Sequence, residues 1–94
     1  MKVKASMQTR EGRQPDWIVY ILKCADGSLY TGITNRLARR LQAHARGQGA
    51  KYTRGRGPFS LLYTECHATK GIALQREAVI KSLSRAAKLG LVTG

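Results

Sequence analysis

At 94 residues the chain has room for one small domain and one core. Apolar residues make up 43 %, ordinary for a folded protein, and no run approaches the roughly 20 apolar residues of a membrane-spanning helix. Charge is the outlier: 17 Lys and Arg against 5 Asp and Glu give +12, so the chain reads as a soluble, cytoplasmic domain seeking a polyanion.

The first fifteen residues hold Lys2, Lys4, Arg10 and Arg13 and little that packs, which predicts a flexible basic arm over 1–15 and a single domain over 16–94. Trp17-Ile-Val-Tyr-Ile-Leu22 is an apolar, β-branched and aromatic run suited to a strand buried on both faces. Asp26-Gly27 signals a hairpin turn, and Leu29 to Ile33 returns as the second strand. Asn35 is the expected N-cap of a first helix that carries Leu37, Leu41 and Ala45 on one face and ends at Gly47. A Gly- and Arg-rich loop runs to Pro58, and Phe59 to Cys66 reads as a third strand. Thr69 or Lys70 opens a second helix on which Ala73, Ile80 and Leu83 align. Ser84 to Val92 reads as a third, short helix with a break at Gly90. The order β-β-α-β-α-α predicts an α+β fold, a three-stranded antiparallel sheet flanked by helices. Cys24 and Cys66 lack Cys-x-x-Cys spacing and are read as buried apolar thiols, since two cysteines make neither a disulfide framework nor a four-ligand zinc site.

Between Gly27 and Thr64 there is no acidic residue, yet Arg36, Arg39, Arg40, Arg46, Lys51, Arg54 and Arg56 all fall there. Solvated helix faces usually mix signs. Unmixed basic charge repels itself and attracts phosphate, which points to nucleic acid. Helical spacing puts Arg36, Arg40 and His44 one turn apart. The few acids can be audited in turn. Glu11 and Asp16 belong to the arm and its edge, Asp26 to the hairpin, and Glu65 to a strand facing solvent or an Arg. Glu77 falls inside the apolar arc of the second helix, bordered by Ala73, Ile80 and Leu74, where a carboxylate is costly unless paired or metal-bound. A salt bridge to an Arg and a divalent-cation site are both consistent with that position. Tyr20 and Tyr30 flank the turn and can meet across the hairpin, as packing or as a functional pair. No Ser-His-Asp set and no paired carboxylates accompany them.

In order along the chain, Ile18-Val19-Tyr20, Tyr30-Thr31-Gly32, Arg40, the Gly47–Pro58 loop and Ala73-Leu74-Gln75-Arg76-Glu77 resemble the motifs of the GIY-YIG nuclease superfamily, in particular its small stand-alone YhbQ-like members. The resemblance implies a metal-dependent DNA endonuclease, structure-specific in repair or recombination, with Mg²⁺ or Mn²⁺ held by Glu77. It implies Arg40 as the clamp on the scissile phosphate, Tyr20 as general base or water-orienting group, Tyr30 as a hydrogen-bond donor to water or phosphate, and His44 in proton traffic. Arg36, Arg39, Lys51, Arg54 and Arg56 are then expected to grip the backbone without reading bases. DNA is the implied partner, branched or nicked forms included, and a protein partner that lends specificity suits so small a domain. The alternative is a non-catalytic nucleic-acid-binding module on the same fold. Two positions depart from the pattern: Ile18 stands where the first motif begins with Gly, and no Asn follows Glu77, Asn35 being the only one in the chain.

Overall fold

The computed structural model describes residues 16–93, and the arm expected over 1–15 lies outside the described residues. The elements are β1 (Trp17–Lys23), β2 (Leu29–Thr34), α1 (Leu37–Ala45), β3 (Ser60–His67), α2 (Lys70–Lys81) and α3 (Arg85–Thr93), the β-β-α-β-α-α order that the sequence predicts. The strands form one antiparallel sheet in the order β2-β1-β3. The apolar run of β1 takes the middle place because only a central strand is covered on both faces, and Val19 to Leu22 are all buried.

Strand alternation divides this run between two sides. Val19 and Ile21 meet Ala73 and Ile80 of α2 in the core, with Trp17, Leu29, Ile33, Tyr63 and Leu91 packed around them. Each buried Val or Ile contributes about 1.5–3 kcal/mol. Tyr20 and Leu22 alternate with these residues and belong to the other side of the strand. A bulge at Leu62 shifts the β3 register just there, since Ile21 pairs with Tyr63 and Leu22 with Leu61.

The hairpin is closed by two backbone bonds, Cys24 N–H to Ser28 C=O at 2.8 Å and Gly27 N–H to Cys24 C=O at 2.9 Å, with Gly27 at φ +87°. Asp26 Oδ1 accepts from the Ser28 amide at 3.0 Å and hydroxyl at 2.6 Å, which fixes the turn locally. This turn sets the register that puts Tyr20 opposite Gly32 and Leu22 opposite Tyr30, so the two tyrosines are diagonal neighbours on one face.

Several local expectations are corrected. Asn35 does not cap α1: the N-cap position is Arg36, without a side-chain cap, and the Arg36 amide donates to the Thr34 hydroxyl at 3.0 Å. Helix α2 opens at Lys70, one of the two starts expected, and Thr69 is its N-cap, accepting from Ile72 N–H at 3.2 Å. Leu74 lies outside the apolar arc, which is limited to the side of Ala73, Glu77 and Ile80. Helix α3 runs through Gly90 to Thr93 without a break, and its Arg85 donates to the Gly27 carbonyl at 2.7 Å. Cys24 is buried as expected, but Cys66 on edge strand β3 is exposed. Glu65 meets an Arg, as one of its two expected settings has it: it accepts from Arg76 (2.8 Å), and also from Tyr63 (2.5 Å) and His67 (2.7 Å).

A methyl group on Gly32 would lie 2.6 Å from Tyr20 Oη, 2.8 Å from Tyr20 Cζ and 2.9 Å from Tyr30 Cε2. Gly32→Ala is therefore expected to destabilise the fold by about 1–3 kcal/mol through overpacking. Gly71→Ala, whose nearest contact is 4.0 Å away in a helix, should be neutral or stabilising. Urea midpoints for the two variants check this, and a Gly32→Ala midpoint equal to that of the parent would contradict the packing.

Candidate active site

The Tyr20 ring is fully buried, and its hydroxyl lies 2.8 Å from Nε2 of His44, one turn beyond Arg40 on α1. His44 is itself 1 % exposed. Three rings surround it: Tyr20, Tyr30 and Phe59, at centroid distances of 5.8, 5.3 and 6.0 Å. Tyr20 and Tyr30 are 6.2 Å apart and tilted by 51°. Gly49 lies so close to the imidazole that any side chain there would displace it. On the far side of the ring Nδ1 is 2.8 Å from Thr53 Oγ1, and the Thr53 hydroxyl donates to the Ala50 carbonyl at 3.0 Å. A single imidazole thus joins helix α1, strand β1 and the Gly- and Arg-rich loop.

Burial dominates the acid–base character of this group. It pushes the Tyr20 phenol up to about 12, against the pull of neighbouring Arg40, with smaller upward contributions from Tyr30 and Glu77. Burial also lowers the His44 pKa, and the Arg40 charge lowers it further, so the ring is neutral where an ordinary imidazole is half protonated. Arg40 is held firmly cationic, first by hydrogen bonding to the Tyr20 hydroxyl and then by Tyr30. Its Nε is buried and has no hydrogen-bond partner among the described residues, a donor without an acceptor at the edge of the tyrosine pair.

Glu77 projects from the core-facing side of α2 with its side chain 17 % exposed. Lys81 stands one turn on at 3.4 Å, in place of the Arg that a helix-to-sheet salt bridge would need. Four of the five residues implied by the resemblance, Tyr20, Tyr30, Arg40 and His44, are therefore brought together, and Glu77 is near enough for its charge to act on Tyr20. Among the described residues no cluster of three or more His, Cys, Asp or Glu exists that could hold a metal by itself.

The basic residues fall into two groups. Arg36, Arg39 and Arg40 line a depression with Thr34, Asn35 and Arg46, so that four guanidinium groups surround one hollow beside the site. Lys51 and Arg54 are exposed on the loop. Arg56, expected on the backbone-gripping surface, is engaged within the protein. It pairs with Asp26 at 2.5 Å, donates to the Tyr52 carbonyl at 2.7 Å and lies 4.5 Å over the Tyr52 ring. Tyr52 in turn stacks on Tyr30 at 5.9 Å and 24°. Asp26, Arg56, Tyr52 and Tyr30 thus form a continuous clamp holding the loop to the hairpin, reinforced by Ala25 N–H to Arg56 C=O at 2.8 Å. Sequence reading took the loop as a source of cations and missed Gly49, Tyr52 and Thr53. The signal available was an aromatic and a β-branched residue side by side in a stretch otherwise of Gly and cations.

The chain matches the GIY-YIG catalytic domain over residues 16–89. It is 58 % identical to a UPF0213 protein of Oceanobacillus iheyensis over 74 residues, covering 79 % of this chain and 86 % of the relative. A UPF0213 protein of Clostridium perfringens is 57 % identical over 75 residues, covering 80 % and 81 %. Among solved structures, the solution NMR structure of a UPF0213 protein from Bacillus halodurans is 51 % identical, with TM-score 0.55 and 83 % of each chain covered. That of a protein from E. faecalis is 37 % identical, with TM-score 0.59 and coverage of 86 % and 88 %. The paired tyrosines, the helix arginine and histidine and the glutamate of α2 therefore sit in a fold shared with these proteins, and the chain belongs to the GIY-YIG family.

Proposed function

We propose that the protein is a metal-dependent endonuclease that hydrolyses DNA phosphodiester bonds, with branched or nicked DNA as the substrates to test first. The observation that carries this reading is the Tyr20–His44 hydrogen bond beside a cationic Arg40 whose Nε has no acceptor among the described residues. A phosphate oxygen is the acceptor such a donor lacks, and the hollow shared by Arg36, Arg39 and Arg46 continues the positive surface away from it.

Glu77 fits a hard divalent cation as a lone oxygen ligand, with water and phosphate oxygens completing the shell, and not as part of a protein cage. Mg²⁺ or Mn²⁺ bound there would relieve charge on the phosphoryl oxygens. The side chains account for the rest. Arg40 clamps the scissile phosphate and opposes the charge that builds in the transition state. Tyr20 stays a neutral phenol at working pH because its pKa is near 12, so it accepts a proton from the attacking water only as it passes its own to His44 Nε2. Tyr30 holds water or phosphate by hydrogen bond from the neighbouring strand. Arg36, Arg39, Lys51 and Arg54 grip the flanking backbone. Arg56 keeps the loop seated through Asp26 and Tyr52.

Cleavage of labelled duplex and branched DNA in Mg²⁺ or Mn²⁺ tests the reading. Glu77→Ala and EDTA should each abolish products by about 10²-fold or more while leaving binding intact. Equal loss of binding and cleavage in Glu77→Ala would remove the metal role, and binding without products on every substrate would leave a nucleic-acid-binding module.

Neutral His44 is the required acceptor, and its lowered pKa keeps it neutral to more acidic pH than the ordinary 6.5. The rate should therefore hold steady on descending through 6.5 and fall only below it. An acid limb at or above that value in a pH–rate profile would exclude His44 as the acceptor. If Arg36, Arg39, Arg40, Lys51 and Arg54 each neutralise one phosphate, log K against log salt should slope by about −4 to −5 for duplex DNA. Fluorescence anisotropy across a salt series measures it, and a slope near zero would rule out this surface.

A further inference from the structure

The proton on His44 can be placed from its neighbours. Thr53 Oγ1 has one hydrogen, and it donates that hydrogen to the Ala50 carbonyl, 3.0 Å away. Toward His44 Nδ1, at 2.8 Å, the same oxygen then acts as acceptor, so Nδ1 carries the hydrogen. The opposite side of the ring follows from this. With Nδ1 protonated, Nε2 of the neutral ring is a lone pair, and the phenol hydrogen goes to it across 2.8 Å.

We infer that Thr53 is a positioning residue that locks His44 in the Nδ1–H tautomer and aims the Nε2 lone pair at the Tyr20 hydroxyl. The tautomer stands on this geometry alone; its catalytic consequence rests on the nuclease reading above. Thr53 is 1 % exposed, so water does not substitute for its hydroxyl. Gly49 against the ring and Phe59 at its edge leave the imidazole no room to turn over. Exposed Lys51 and Arg54 lie on either side of Thr53, so the segment that meets the phosphate backbone also sets the proton acceptor.

Nitrogen-15 NMR of the histidine ring in the full chain, without DNA or metal, tests the lock. In the parent protein Nδ1 should carry the hydrogen and Nε2 should be bare, and Thr53→Ser should keep that pattern. Thr53→Val leaves Nδ1–H without an acceptor, and the ring should shift toward the Nε2–H form, which donates to the Tyr20 oxygen. In cleavage assays Thr53→Val should lose about 10- to 100-fold in kcat with little change in KM, the usual scale for a partner that orients a working histidine, and Thr53→Ser should recover it. A parent protein with hydrogen on Nε2 overturns the lock, as does Thr53→Val with an unchanged tautomer. A changed tautomer with unaltered kcat overturns the positioning role. A parent protein with bare Nε2 that cleaves no substrate leaves the lock standing and overturns the nuclease reading instead. Should Thr53→Val fail to fold, the ring pattern of the parent and of Thr53→Ser still decides the tautomer.

Discussion

The hydrogen bond between Tyr20 and His44 is the constraint on which the far side of the sheet depends. Sheet and α2 share an apolar core of ordinary kind, but in α1 Leu37 and Leu41 are only half-buried and His44 is the buried residue. Instead the imidazole is inserted among three aromatic rings and hydrogen-bonded at both nitrogens. A buried imidazole is costly unless both nitrogens are satisfied, so its two partners must come from elements that are far apart in sequence. Thr53, nine residues on, and Tyr20, twenty-four residues back, meet that need and in doing so fix the loop and the helix to the hairpin.

The same arrangement explains why an uncompensated stretch of positive charge folds down on the sheet without acidic partners of its own. Asp26, held in the hairpin turn by Ser28, is reached from thirty residues away by Arg56. Hydrogen bonds from Ser28 first, and Arg56 after them, hold its carboxyl below the usual carboxylate range. Arg56 lies over Tyr52 and Tyr52 over Tyr30, so one cation is given up to hold the loop while Lys51 and Arg54 remain exposed. Charge that does not pair inside the protein is left facing outward in one region, which is the condition for a field that attracts phosphate.

The fold and the site were unequally legible in the sequence. Strand β1 could be read because a run of β-branched and aromatic residues has one comfortable place, the middle of a sheet, and Thr69 because a hydroxyl before an amphipathic stretch is a cap. Asn35 misled because capping preference is local, and a hydroxyl on the preceding Thr34 met the Arg36 amide first. Gly90 misled because one glycine costs a helix only about 1 kcal/mol, less than α3 gains by packing Leu91 on the core. The resemblance to known nucleases named Tyr20, Tyr30, Arg40 and His44, and hairpin register with helical spacing explain why they meet. Thr53 and Tyr52 were not legible, because their partners His44 and Tyr30 are fixed by tertiary closure of a loop that has no periodicity to read.

Those local conflicts with stability carry the functional argument further than the charge does. A domain this small gains little from its core, and native proteins are stable by only about 5–15 kcal/mol in all. Yet the chain keeps a buried histidine, a largely covered carboxylate on the core-facing side of α2 and an arginine Nε buried without an acceptor among the described residues. His44 repays its burial through its two hydrogen bonds, whereas an unpaired buried donor costs about 1–3 kcal/mol and a covered carboxylate is costly as well. All three act on one phenol: His44 by hydrogen bond, and Arg40 and Glu77 by charge. The Arg40 donor and the Glu77 carboxylate add nothing to packing, and their convergence with His44 on one reactive atom is explained by the chemistry of that atom.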